Sequence, residues 1–178
     1  MMIRLSLSIL ISLISINLFS IELSRAKINR ISKHVEKEFG IPGLRYSPVI
    51  LEERKPERLP WRFDGNSLYR IYHGQKLIGF LVIEQAKGRY DFFDFILIYD
   101  EGLKLIDAKV ITYRSQHGGQ ITSEKWLKAF EGKKAGHRYK MNADIDAISG
   151  ATLSTRSMLR AVNLIGQSLL EASESLSE

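Results

Sequence analysis

A hydroxyl-rich loop precedes a long amphipathic run near the carboxyl end of the chain. From Asp146 to Thr152 the sequence reads Asp-Ala-Ile-Ser-Gly-Ala-Thr. Gly150 permits a positive φ or a close backbone approach, and the free N–H groups at a helix N-terminus suit a phosphate. The Thr152 hydroxyl at that position indicates a place where a phosphate is held or esterified. Apolar residues then recur with the period of one helix face, at Met158, Val162, Ile165 and Leu169.

The same residues also fit a helix that is merely capped, in a protein with no redox role. Hydroxyl side chains are good N-caps, and two carboxylates just upstream favour a helix start. Short loops rich in Ser, Thr and Gly are common, so residue properties alone favour this alternative. The candidate capping residues are Ser149, Thr152, Ser154 and Thr155.

The run from Asp146 to Thr152 resembles the flavinylation motif of the FMN-binding domain family. That family includes the flavin-carrying subunits of the sodium-translocating NADH:quinone reductase and of the Rnf electron-transport complex. In such proteins a flavin transferase uses FAD to join FMN, through its phosphate, to the last threonine of the motif. The resemblance implies FMN covalently attached to Thr152, and it places Asp146, Ser149, Gly150 and Ala151 in the same cofactor site.

The resemblance also implies a second cofactor contact, in the segment 113–121. In the family, the loop after the last meander strand is polar and Gly-containing and lies near the flavin ring. Gly118 and Gly119 stand in that loop here. Many members carry a glutamate and a Thr-Pro-Gly run in this region, whereas residues 114–117 read Arg-Ser-Gln-His. Without the motif downstream, the segment fits a plain strand-to-helix turn.

Length and composition limit the classes of protein. At 178 residues, with 44% hydrophobic and 26% charged, the chain is globular and large enough for a core. The absence of cysteine excludes disulfides, thiolate iron–sulfur ligation and c-type haem attachment, so an electron carrier of this sequence needs an organic cofactor. The four histidines are too far apart in sequence for a local metal motif, and no metal is predicted.

The first 26 residues resemble a signal peptide. Arg4 precedes an apolar, serine-studded run from Leu5 to Phe19, which is short for a membrane-spanning helix. Residues 24–26, Ser-Arg-Ala, fit the small-x-small pattern of a cleavage site, while an uncleaved N-terminal anchor is the alternative. We expect an exported protein, periplasmic or attached to the outer face of the inner membrane.

The formal charge of +6 and the pI near 9.5 favour attraction to an anionic membrane surface or an acidic partner. Basic residues are scattered, and no Arg/Lys-rich helix or aromatic RNA-binding pattern accompanies them. Nucleic acid is therefore not an expected partner. The resemblance implies two others, a flavin transferase for maturation and redox partner proteins in the membrane or periplasm.

The residue pattern predicts an α+β fold, an antiparallel β-meander packed by helices, with a long C-terminal helix after the Ser-Gly-Ala-Thr loop. Short connections between strands require antiparallel neighbours. Tyr90–Tyr99 is apolar on both faces, and in the last strand Ile106, Ala108 and Val110 are expected on one face. The predicted elements are a helix over Lys27–Phe39, an irregular connector over 44–66, strands over Ser67–His73, Lys76–Gln85, Tyr90–Tyr99 and Lys104–Tyr113, and a helix over 122–131 capped by Thr122.

These observations divide the chain into a signal peptide or anchor (1–26), an N-terminal helix and connector (27–66), and an FMN-binding domain (67–178). The function implied by the resemblance is an exported flavoprotein electron carrier with FMN attached by a phosphoester to Thr152. The alternative is an extracytoplasmic FMN-dependent reductase of a small substrate, for which Tyr113 and His117 are the nearby proton donors. A redox carrier fits better than a stand-alone enzyme.

Overall fold

The computed structural model describes residues 24–51, 59–63 and 65–176. Nearly all of the predicted signal peptide lies outside these residues. Among them, no helix is both long and apolar enough to cross a membrane. The elements are α1 (Arg25–Phe39), β1 (Arg45–Pro48), β2 (Leu68–His73), β3 (Lys76–Lys87), β4 (Phe92–Asp100), β5 (Leu105–Thr112), α2 (Glu124–Leu127), α3 (Thr152–Glu171) and α4 (Ser173–Leu176), with 3-10 turns at Gly119–Thr122 and Lys128–Phe130.

The five strands form one sheet in the order β1-β2-β3-β4-β5, and every neighbouring pair is antiparallel. A two-residue turn joins β2 to β3, and Gly74 in that turn has φ +60°. A positive φ suits glycine at the first position of such a hairpin, so the pair Gly74-Gln75 fits the short connection expected between the two strands. The α+β meander expected from the sequence is confirmed.

The sheet separates two hydrophobic layers. Ile31 and Val35 of α1 pack with the β4 residues Ile96 and Ile98 on one face. The other face packs against α3 and the 3-10 turn that follows α2. β4 is therefore covered on both sides, as its sequence predicted. The predicted inner face of α3 is also confirmed, because Met158, Val162, Ile165 and Leu169 are all buried.

Two predictions about the strands are wrong. The connector over 44–66 is not wholly irregular, because Arg45–Pro48 forms β1 and pairs with β2. Ile106 packs in the α1 layer, whereas Ala108 and Val110 pack in the α3 layer. A register shift between β4 and β5 breaks the alternation there, and a bulge of this kind leaves no clear trace in a hydrophobic pattern.

The helix predicted over 122–131 is shorter than expected. Its N-cap is Ser123, and one α-helical turn, α2, passes into the 3-10 turn Lys128–Phe130. Thr122 ends the preceding 3-10 turn and donates its hydroxyl to the Gly119 carbonyl at 2.7 Å. The Thr122 hydroxyl is therefore hydrogen-bonded within the preceding turn, and Ser123 takes the N-cap position that was predicted for Thr122.

A buried carboxylate, Asp94 on β4, connects three parts of the fold. It accepts from Lys27 Nζ at 2.6 Å, from Gln85 Nε2 at 2.7 Å and from both terminal nitrogens of Arg114, at 2.8 and 3.0 Å. Burial acts to raise the pKa of Asp94, but the hydrogen bonds from Arg114, Lys27 and Gln85 outweigh it and hold the pKa below its ordinary value. The carboxylate thus links α1 to the segment that follows β5.

Asp94→Asn tests this link. Because the folded-state pKa is depressed, the carboxylate stabilises the fold above its ordinary pKa of 3.8, and that stabilisation is lost as the pH falls through the folded-state value. We expect the substitution to lower the free energy of unfolding by about 3 kcal/mol at pH 7, the low end for a broken buried ion pair, because Lys27 and Arg114 can turn towards water.

Urea unfolding between neutral and strongly acidic pH measures the difference between wild type and variant. The difference should shrink as the pH falls below 3.8 and through the depressed folded-state pKa of Asp94. Glu101→Gln, in the exposed turn after β4, is the matched control and should change little. A difference independent of pH would contradict the ionic explanation.

Candidate functional site

The start of α3 presents an uncapped helix end next to an exposed hydroxyl. Thr152 is the first residue of α3, and the N-cap is Ala151, which makes no side-chain capping hydrogen bond. Gly150 has φ +80°, a conformation that favours glycine, so the loop turns sharply into the helix. None of the four hydroxyl residues proposed as caps is the N-cap. The N–H groups of the first turn are therefore not satisfied by a side-chain cap, which leaves them suited to an anion.

The four hydroxyls of this region have different environments. Thr155 is fully buried and donates to the Ala151 carbonyl at 2.9 Å. Ser154 is 2% exposed, and its hydroxyl lies 3.0 Å from the Tyr113 hydroxyl. Thr152 and Ser149 are exposed. Only the latter two can meet a reagent without a local opening of the helix.

The loop after β5 packs directly against the motif. A Cβ on Gly118, which has φ +83°, would lie 3.5 Å from Ala151 Cα and 2.7 Å from Tyr113 Oη. Tyr113 donates its hydroxyl to the His117 carbonyl at 2.7 Å, which holds the loop in place. Gly119 differs, because a Cβ there would meet nothing within 4 Å. Gly118 therefore packs against the Asp146–Thr152 motif, whereas Gly119 has open space where a Cβ would stand.

A third segment, the turn between β3 and β4, completes the site and was missed from the sequence. Gly88 is buried, and a Cβ on it would lie 3.2 Å from Ser154 Oγ. Tyr90 is 67% exposed, with its ring 6.3 Å from that of His117, and the Phe93 ring is 5.7 Å from that of Tyr113. A buried glycine in a short connection between two strands was the available signal.

The acidic residues upstream of Ser149 lie in a loop that hydrogen bonds hold in place. Asp144 Oδ2 accepts from the Lys140 backbone N–H at 2.8 Å, which holds the backbone of the loop in place. Asp146 has an exposed side chain, and its backbone carbonyl accepts from Trp126 Nε1 at 2.9 Å. The loop that leads to Ser149 is therefore anchored to α2 before it reaches the helix.

Comparison with known proteins supports the family resemblance seen in the Asp146–Thr152 motif. The model of the FMN-binding domain family matches residues 91–165. The resemblance is confirmed. This range holds the FMN-binding motif, the Gly118 loop and most of α3, whereas the Gly88 turn lies just before it.

The crystal structure of NqrC from Shewanella oneidensis has a similar fold. The TM-score is 0.56 at 13% sequence identity, with 80% of this chain and 93% of that chain covered. At this identity the likeness concerns the fold alone. No curated protein gives a significant match to the chain.

The residues at the start of α3 fit a phosphate-linked cofactor. An anion there would meet N–H groups that no side chain caps and the positive end of a 20-residue helix. Gly150 leaves open space, since a Cβ there would meet nothing within 4 Å. The exposed Tyr90 ring stands 6.3 Å from that of His117, in the loop that packs against the motif.

Tyr113→Phe tests whether the tyrosine hydroxyl locks the loop to α3. The substitution leaves the buried Ser154 hydroxyl without the Tyr113 partner, so we expect it to lower the free energy of unfolding by about 1–2 kcal/mol. Adding Ser154→Ala should recover part of the loss, which gives a coupling energy of at least about 0.5 kcal/mol in denaturant unfolding. Tyr90→Phe, which removes an exposed hydroxyl, is the control and should be near neutral. Strictly additive effects of the Tyr113 and Ser154 substitutions would contradict the lock.

Proposed function

We propose that this chain is an exported flavoprotein electron carrier that holds FMN through a phosphoester to Thr152. The observation that carries the proposal is the position of Thr152, an exposed hydroxyl at the uncapped start of α3 within a flavinylation-type motif. The family match over residues 91–165 supports FMN as the cofactor. The proposed cofactor-binding residues are Thr152, Ala151, Gly150, Ser149, Asp146, Gly118 and Gly119.

The choice of Thr152 among neighbouring hydroxyls rests on access and on electrostatics. Thr155 and Ser154 are buried and engaged in hydrogen bonds, so a transferase cannot reach them in the folded protein. Ser149 is exposed but precedes the helix by three residues. Of these four hydroxyls, only that of Thr152 is both accessible and next to the first N–H groups of the helix. Those N–H groups would stabilise the negative charge of the phosphodiester.

The protein supplies position and environment for the cofactor. When bound, FMN provides the electron-transfer chemistry, while the chain sets its orientation and electrostatics. Gly150 and Ala151 keep side-chain bulk away from the attachment point, and Gly118 lets the loop after β5 pack against Ala151. We expect the flavin ring to lie along the exposed Tyr90 and His117 side chains, whose rings stand 6.3 Å apart. A covalent link retains a small soluble cofactor outside the cytoplasm.

A reductase of a small substrate is less well supported. It needs a proton donor beside the ring, and Tyr113 and His117 are the candidates. The Tyr113 hydroxyl is engaged by the His117 carbonyl and Ser154, so its proton is held within the protein. His117 remains as an exposed candidate. We therefore favour the carrier, with redox partner proteins in the membrane or periplasm and a flavin transferase for maturation.

Thr152→Ala is the decisive variant. Expressed with a flavin transferase, wild type should gain one FMN-sized mass addition that survives denaturation, whereas Thr152→Ala should fold and stay colourless. Thr152→Ser retains the nucleophile and should be labelled in part. Intact-mass measurement, followed by peptide mapping, locates the addition.

Ser149→Ala is the matched control, because it removes the other exposed hydroxyl and should keep the flavin. Thr155→Ala should keep it as well. Full labelling of Thr152→Ala, or an addition on Ser149, would overturn the assignment. Wild-type protein that stays unlabelled beside a flavinylated positive-control protein would refute covalent attachment.

The proposed location has its own test. Export should leave the chain in the envelope or periplasmic fraction, and the apolar run Leu5 to Phe19 is the feature that predicts it. N-terminal sequencing of the native protein should show either a start near Lys27 or an intact leader in the membrane fraction. The residues Ser24-Arg25-Ala26 span the N-cap and first turn of α1, so cleavage after Ala26 would shorten that helix by two residues. An intact Met1 on protein in the cytoplasmic fraction would contradict export.

A further inference from the structure

A cavity of about 460 Å³ lies beside edge strand β5, between α1 and the α2 segment. None of the proposed flavin-site residues lines it. Its walls carry one imidazole, four carboxylates and three ammonium groups, of which Lys109 and Glu124 pair at 3.7 Å. The remaining acidic groups come from α1, from β5 and from the end of the 3-10 turn after α2. They are Glu38, Asp107 and Glu131.

His34 stands between two of these carboxylates. Its Nε2 lies 2.8 Å from Asp107 Oδ2, and its Nδ1 lies 3.9 Å from Glu38 Oε1. One ligand atom from each residue can be chosen so that all three fall within 4.8 Å of one another. The side chains are largely shielded, at 12% exposure for His34, 14% for Asp107 and 30% for Glu38. The residues thus form a compact set with one nitrogen and two oxygen ligands.

These distances can be compared with those of a bound ion. Zinc binds imidazole nitrogen and carboxylate oxygen at about 2.0–2.2 Å in tetrahedral geometry, which places ligand atoms about 3.4 Å apart. The spacings of 2.8 Å and up to 4.8 Å bracket that value. An ion takes one imidazole nitrogen, here Nε2 beside Asp107, so Glu38, one helical turn from His34 on α1, has to rotate from the Nδ1 side to reach it.

We propose that His34, Glu38 and Asp107 form a binding site for a divalent transition-metal ion of the zinc class. Mixed imidazole and carboxylate ligation suits such ions. The ion would replace the proton shared between His34 and Asp107 and would fasten α1 to β5. The side of the set that faces the cavity leaves room for water ligands.

Titration of the full, untagged chain with ZnCl₂ after removal of metal by chelator tests the proposal. The protein is prepared without a flavin transferase, so that flavin absorbance does not interfere. We expect one equivalent bound in the micromolar range by calorimetry and a rise in the melting temperature. Co²⁺ in place of Zn²⁺ should give visible absorption bands that report nitrogen and oxygen ligation.

Variants separate this site from adventitious binding. Glu38→Gln and Asp107→Asn preserve shape and should each weaken Zn²⁺ binding by at least about tenfold, as expected when a ligand oxygen is lost. His34→Asn should abolish it. His137→Asn is the matched control, since His137 Nε2 and Asp144 Oδ1 form the other pair of this kind, 3.7 Å apart, and it should bind as wild type does.

Unchanged binding in His34→Asn, or binding lost in His137→Asn, would overturn the proposal. So would the absence of Zn²⁺ binding to wild type in the micromolar range. If His34→Asn fails to fold, Glu38→Gln still decides the matter, because it keeps the shape of the most exposed side chain of the set and removes only its charge. Equal Zn²⁺ affinity in Glu38→Gln and wild type would then refute the site.

Discussion

The contact between Gly118 and Ala151 determines where Thr152 lies. There the loop after β5 meets the start of α3, and a single methyl group on Gly118 would collide with the Tyr113 hydroxyl. Tyr113 in turn joins the loop to Ser154 on the first turn of the helix. The sheet supplies the frame for this contact, because β5 carries the loop and the inner face of the sheet buries α3. The position of the Thr152 hydroxyl is therefore a property of the packed fold.

The two faces of the sheet have different tasks. The α3 face carries the flavin-type site at its end, where Gly88, Gly118 and Ala151 allow close approach of three segments. The α1 face holds the His34 cluster and the Asp94 ion pairs. Asp94 connects these regions, since Arg114 lies in the loop that reaches Gly118 while Lys27 lies at the start of α1. Changes at the N-terminal helix can thus reach the cofactor loop through one buried carboxylate.

The helix start illustrates how a local pattern can have two meanings. Four hydroxyl residues near a helix N-terminus, taken by themselves, favoured a conventional cap. In the fold, Ala151 is the N-cap, and two of the hydroxyls are buried in hydrogen bonds to Tyr113 and to the backbone. A sequence that leaves a helix end uncapped while placing an exposed threonine there is consistent with a phosphate as the missing partner.

The sequence alone determined most of the elements and their order, although not β1, because each depends on neighbouring residues. The hairpin at Gly74, the doubly buried β4 and the inner face of α3 follow from short periods and turn chemistry, and the motif resemblance indicated FMN. Only the tertiary structure decided which hydroxyls remain exposed, that Gly88 packs beside Ser154, and that a bulge turns Ile106 to the α1 face. It also brought Asp107 to His34, across 73 positions of chain. Such contacts depend on packing between distant segments, and no local period records them.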